Sequence, residues 1–180
     1  MFTEGPITED IRSEFLPEDV RVLFVGESPP ANGTFFYKAN SNLYDATKEA
    51  FRLAAPKLVR GSNFLDRFMA LGCNLDDLCP KPVNHLKLDN PGAKQKRLQA
   101  RVDGEEALAE RMRSYEPRAI VIVMKGIAGN VRAAAEAAAL GNVRWNELPF
   151  PGRKAHRESY VDELSTLLKQ YRGSGFLRES

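Results

Sequence analysis

The chain has 180 residues, 43% of them hydrophobic and 28% charged, with a net charge of +2, a balance that fits one globular domain and excludes a disordered or fibrous protein. Its longest apolar runs, such as Ala119-Ile120-Val121-Ile122-Val123-Met124, are strand-sized, whereas about 18 consecutive apolar residues are needed to cross a bilayer; no membrane partner is expected. Two cysteines, Cys73 and Cys79, can neither build a disulfide framework nor complete a four-ligand zinc or iron-sulfur site, so neither a metal nor a cofactor is expected.

In chain order, residues 1–19 come first. They lack the positive and apolar regions of a secretory signal, which makes the cytoplasm the expected location. They hold six acids (Glu4, Glu9, Asp10, Glu14, Glu18, Asp19) against Arg12 alone, and read as an acidic N-terminal segment. The remainder carries 25 basic and 18 acidic residues, a net +7, which favours a polyanionic partner. Residues 20–25 are apolar and β-branched and run into Gly26 and two prolines, which predicts a buried strand. From Leu43, the spacing of Tyr44, Ala46, Thr47, Ala50, Phe51, Leu53 and Ala54 predicts a helix ended by Pro56. A second helix is predicted over 64–71, stopped by Gly72, and a second strand over 73–78. A proline-rich basic loop follows over 80–96, then a charged amphipathic helix over 104–115, and residues 118–125 carry the clearest strand pattern. An alanine-rich helix around 133–140, a short strand over 143–148 and a last helix over 156–171 complete the pattern. The alternation predicts a single α/β domain over 20–172, a three-layer sandwich around a small, mainly parallel four-stranded central sheet, followed by a tail over 173–180. A monomer is expected.

Parallel sheets bind ligands at the carboxyl ends of their strands, so the loops after Val25, Leu78, Met124 and Leu148 are expected to share one cleft. The first, Gly26-Glu27-Ser28-Pro29-Pro30, places a carboxylate one residue past a buried strand, where it serves either in electrostatic or general-base work or as a helix cap. Phe35, Phe36 and Tyr37 follow, as stacking surfaces for a flat ligand or as core. In the second loop, adjacent Asp76 and Asp77 point to opposite faces of a strand, so at most one enters the cleft readily. Asn84 and His85 follow among Lys81 and two prolines. Lys125-Gly126 in the third loop precedes a helix N-terminus that could receive an anion, without a Walker or dinucleotide pattern. The fourth loop, Pro149-Phe150-Pro151-Gly152-Arg153-Lys154-Ala155-His156-Arg157, combines rigidity with basic and titratable groups.

Together the four loops resemble those of the uracil-DNA glycosylase superfamily. Gly26-Glu27-Ser28-Pro29-Pro30 is similar to the glutamate-bearing form of that family's first motif, with Phe35-Phe36-Tyr37 at its aromatic position. Asp76-Asp77-Leu78 is similar to its second-strand exit, and residues 149–157 to its second motif region. The chain departs from the family in having no His-Pro-Ser, with Pro149 or Phe150 at the place of the histidine, and in carrying Asp77 where an asparagine often reads the pyrimidine edge. The cysteines of the iron-sulfur branch are absent.

The resemblance implies a monofunctional DNA glycosylase of base-excision repair. Such an enzyme hydrolyses the N-glycosidic bond of a deaminated or otherwise altered base, uracil or another, after extruding it from the stack, and leaves an abasic site. Glu27 would stabilise the cationic sugar, orient water, or both, and His156 would assist the leaving group or contact DNA. Phe36, or Phe35 in a register shifted by one, would stack on the base, Tyr37 would flank it, and Asp77 would face its edge. Ser28, Lys81, Lys125, Gly152, Arg153, Lys154 and Arg157 would contact DNA, Arg153 or Lys154 at the gap in the stack. Lys87, Lys94, Lys96, Arg97 and Arg101 would extend the phosphate footprint or be a solvated face. Two other readings remain: a non-catalytic or abasic-site-binding relative, and a hydrolase of a small nucleoside or nucleotide.

Overall fold

The computed structural model describes residues 5–57, 59–61 and 63–178. Strands β1 (Val22–Gly26), β2 (Cys73–Asp77), β3 (Ala119–Ile122) and β4 (Arg144–Glu147) form one sheet in the order β2-β1-β3-β4, and every pairing is parallel. The helices are α1 (Gly5–Glu14), α2 (Asn42–Ala54), α3 (Phe64–Ala70), α4 (Pro91–Tyr115), α5 (Ala128–Ala137) and α6 (Lys154–Gly173).

Strand alternation sorts the core into two halves. Val22 and Phe24 of β1, with Cys73, Leu75, Ala119 and Val121, face α2, α3 and α6, where Phe51, Phe64, Phe68, Tyr160 and Leu164 meet them. Leu23, Val25, Ile120 and Ile122 face α4 and α5, against Leu108, Met112, Val131 and Ala134. Because β1 and β3 are covered on both faces, they read in sequence as unbroken apolar runs. Each buried side chain of this size contributes about 1.5–3 kcal/mol of transfer free energy, so the sheet is the rigid frame on which the strand-end loops are mounted. Among the described residues no helix is long and apolar enough to cross a membrane.

Three expected boundaries move. The helix expected from residue 104 begins at Pro91, because the Asn90 side chain accepts from Ala93 N at 3.1 Å and the proline occupies the first turn, which needs no donor there. The last six residues of the expected basic loop, 91–96, are therefore helix. Gly104 lies inside α4 for a packing reason: a Cβ there would sit 2.3 Å from the Leu78 carbonyl oxygen. In the acidic segment residues 5–14 are helical, and Ile11 and Phe15 pack on the first half-core, Phe15 stacking on Tyr37 at 5.7 Å. Residues 1–4 fall outside the described part. At the C-terminal end α6 continues to Gly173, Leu177 is buried, and Arg178 N donates to Leu71 O at 3.0 Å.

Candidate active site

The carboxyl ends of the four parallel strands open on one side of the sheet, where a cavity of about 270 Å³ lies between the loops after β1, β2, β3 and β4. Its walls include Glu27, Ser28, Phe35, Phe36, Asp77, Asn84, Arg97, Met124 and Phe150. The first two loops are tied together, Ala31 N donating to Asn84 Oδ1 at 3.0 Å and Val83 N to Ser28 Oγ at 3.1 Å. Phe35 is extended and anchored through its N–H to Asn40 Oδ1 at 2.8 Å, and a 3-10 turn over Phe36–Lys38 follows. Phe35 and Phe36 border the cavity from within the first half-core, each only 2% exposed, while Phe150, on the proline-flanked fourth loop, stands 43% exposed at the mouth.

Glu27 follows the last residue of β1, and its main chain is still held to the second strand's exit, Cys79 N donating to its carbonyl at 2.8 Å. Its carboxylate is buried and engaged by two arginines of α4. Arg97 Nε and Arg101 Nε each donate to Oε1 at 2.8 Å, and Arg97 Nη2 donates to Oε2 in a very short contact. Arg101 Nη2 also approaches Oε1, at 2.6 Å, but at an angle that makes no hydrogen bond, while its Nη1 donates to Gly126 O at 3.0 Å. Arginines four apart project from one helix face, which is how α4 delivers both to one acid. Burial pushes the Glu27 carboxyl up, yet the hydrogen bonds and charges of Arg97 and Arg101 prevail and hold it below the ordinary carboxylate value. Glu27 therefore stays ionised through the neutral range, in a cluster whose net charge is +1.

Asp76 and Asp77 diverge at the end of β2. Asp76 turns to α4, accepting from Arg111 Nε at 2.7 Å and from Tyr115 Oη at 3.3 Å, and Asp77 lines the cavity. Arg12 of α1 reaches both: Nη1 donates to Asp76 Oδ1 at 3.1 Å and Nη2 to Asp77 Oδ2 at 2.7 Å. Burial opposes the charge of Arg12, but Asp77, Asp76 and Glu9 outweigh it and raise its pKa above the usual arginine value. Asp77 itself is pushed up to about 6, burial exceeding the pull of Arg12. The site also explains a glycine. Gly26 is the register partner of Asp77, and a Cβ on it would lie 2.7 Å from Asp77 Oδ1, so the acid occupies the space that any other residue would fill.

The structure brings Glu27, Ser28, Phe35, Phe36 and Asp77 to one cavity. Tyr37 is not among its walls. It lies buried behind Phe35 and Phe36, where its hydroxyl reaches Asn74 Oδ1 at 2.9 Å and Leu75 O at 3.0 Å and accepts from Leu75 N at 2.7 Å, sealing the outer edge of β2. His156 is exposed on the first turn of α6 and does not line the cavity. Lys81, Lys125, Gly152, Arg153 and Lys154 are exposed, while Arg157 is paired with Glu49 at 2.6 Å. The expectation that Arg97 and Arg101 extend a phosphate footprint is corrected by their pairing with Glu27. No sequence pattern marked Arg12, whose partners stand 64 and 65 residues away. The i,i+4 spacing of Arg97 and Arg101 was the available signal for the other pair. Neither a scan against protein-family models nor a search of curated proteins finds a match to this chain.

Proposed function

We propose that this protein is a DNA glycosylase of the uracil-DNA glycosylase type, acting on a deaminated or otherwise altered base, and the observation that carries the reading is Glu27, an arginine-clamped carboxylate in the wall of an aromatic cavity. Hydrolysis of the N-glycosidic bond breaks the bond from the sugar's anomeric carbon to the base nitrogen. The electron pair leaves with the base, positive charge develops on the sugar, and a water oxygen bonds to the carbon, its proton passing to solvent or to the departing base. The protein must supply a negative group near the sugar, donors near the base and a surface that holds the base outside the stack.

A carboxylate has about four acceptor positions, and three of those on Glu27 are taken: two on Oε1 and one on Oε2. The position left on Oε2 accepts a water. Its depressed pKa makes Glu27 a weak proton acceptor, so its role is to orient that water and to present fixed negative charge, with little general-base work. In this reading Phe35 and Phe36 would stack on the base and Asp77 would meet its edge, and Arg153 and Lys154, exposed three and four residues beyond Phe150, would meet phosphate or the broken stack. The test is incubation with oligonucleotides that each carry one altered base, followed by alkaline cleavage of abasic sites. Abasic sites that form with the wild type and not with Glu27→Gln are the expected result, and none with any base rejects the proposal.

The net +1 on the Glu27 cluster favours a second reading, a relative that binds altered or abasic DNA without cleaving it, since a carboxylate between two guanidinium groups offers the sugar cation little net negative field. Binding with a steep negative salt slope but without abasic-site formation would select this reading.

A further inference from the structure

Most of the polar groups that line the cavity already have partners within the protein. Ser28 Oγ accepts from Val83 N, Ser41 Oγ accepts from Tyr44 N, Thr34 Oγ1 donates to Asn32 Oδ1, and the guanidinium of Arg97 is divided between Glu27 and Leu86 O. Asp77 is different. It is buried, its Oδ2 is held by Arg12, and its Oδ1, lying over Gly26, accepts a hydrogen bond from none of the described residues. That oxygen is not sealed from the cavity, so it stands in the wall as an open acceptor that a ligand N–H matches and a ligand carbonyl does not. Asn84, on the same wall, has its oxygen committed to Ala31 N, which leaves its amide as a donor for a ring acceptor. Open acceptor and nearby donor together describe an edge that carries an amino group beside a ring nitrogen or carbonyl. An imide edge, in which the N–H is flanked by two carbonyl oxygens, would set acceptor lone pairs against the carboxylate.

Resting on the base-excision reading, we propose that the cavity selects a nucleobase with an exocyclic amino group, an aminopyrimidine or aminopurine edge taken by Asp77 Oδ1, with Arg12 as the positioning residue that fixes the other oxygen. Arg12 does not line the cavity; it acts on it through Asp77 and through the Phe35 ring, over which its guanidinium lies at 5.6 Å.

The experiment uses labelled duplexes with a non-hydrolysable 2′-fluoroarabino sugar at the probe, opposite an abasic analogue so that no pairing energy differs. Matched probes differ in one group: 5-hydroxycytosine against 5-hydroxyuracil, and isoguanine against xanthine. Wild type is expected to bind the amino member of each pair at least about tenfold more tightly, as one base-edge contact allows, and Asp77→Asn to bind both alike. Arg12→Met is expected to lose the preference while keeping its affinity for the oxo members; an equal loss on all probes would make Arg12 merely structural and overturn its role. Equal binding of both members by wild type, or a preference unchanged in Asp77→Asn, overturns the proposal. Hydrolysable versions separate the two readings. Preference without abasic sites upholds the selectivity and rejects excision, abasic sites at equal rates uphold excision and reject the selectivity, and no binding to any probe overturns both.

Discussion

Replacing Glu27 by glutamine separates structural from chemical use of the arginine clamp. The change keeps the shape and one acceptor oxygen but leaves the guanidinium groups of Arg97 and Arg101 facing each other without a counter-charge, and their side chains are only 11% and 5% exposed. Removing one partner of a buried ion pair costs about 3–5 kcal/mol. The lower end applies here, because Arg97 borders the cavity and an amide oxygen remains, which gives a loss of about 3 kcal/mol and a fall of about 6–12 °C in Tm for a chain of this size. Excision should drop by about two to three orders of magnitude at a temperature where the variant is folded, the usual scale for one preorganised electrostatic group. Urea melts and single-turnover excision measure the two effects separately. Adding Arg101→Met removes the more deeply buried of the two uncompensated cations, so the double variant is expected to recover part of the stability and none of the excision. A Glu27→Gln protein that melts like wild type and excises at the wild-type rate would refute both the clamp and the chemistry assigned to it.

Gly104→Ala should destabilise the fold by about 1–3 kcal/mol in denaturant melts despite the better helix propensity of alanine, since its Cβ would meet the Leu78 carbonyl oxygen at 2.3 Å; an unchanged or raised midpoint would show that α4 can slide away from that strand end. Asp77 gives a pH dependence. Burial raises its pKa to about 6, against the lowering effect of Arg12 and Arg111 and with the help of Asp76 and Glu9, so the folded state binds this proton more tightly than the unfolded chain. The stability from that proton is complete below the unfolded value of 3.8 and is lost as pH rises through about 6, so wild type should lose stability relative to Asp77→Asn between pH 5 and pH 7; a pH-independent difference in urea melts contradicts this. Arg153→Ala should weaken duplex binding and lower excision from duplexes more than from single strands, because a residue at the gap acts only where a stack is broken; equal losses on both substrates would make Arg153 a phosphate contact.

The layered fold and the cleft shared by the strand-end loops were legible in the sequence because both follow from local patterns. The short length, β-branched content and flanking turn residues of the apolar runs over 20–25 and 118–125 favour buried strands, and alternation with amphipathic segments makes the sheet parallel and its carboxyl-end loops neighbours. The two-residue period of a strand likewise separates Asp76 from Asp77 before any coordinate is known. What surrounds those acids was not legible. Arg12 stands in a segment whose composition is acidic, and Arg97 and Arg101 stand in one that reads as a basic surface, yet their partners are 64 to 74 residues distant. Whether an arginine meets solvent, phosphate or a buried carboxylate depends on which helix face the tertiary packing turns inward, and α4 turns Arg97 and Arg101 toward Glu27 because Gly104 lets it lie against the end of β2. The chain's local pattern determined where the carboxylates stand, and only the folded structure decided their charge partners, and with them the chemistry each carboxylate can perform.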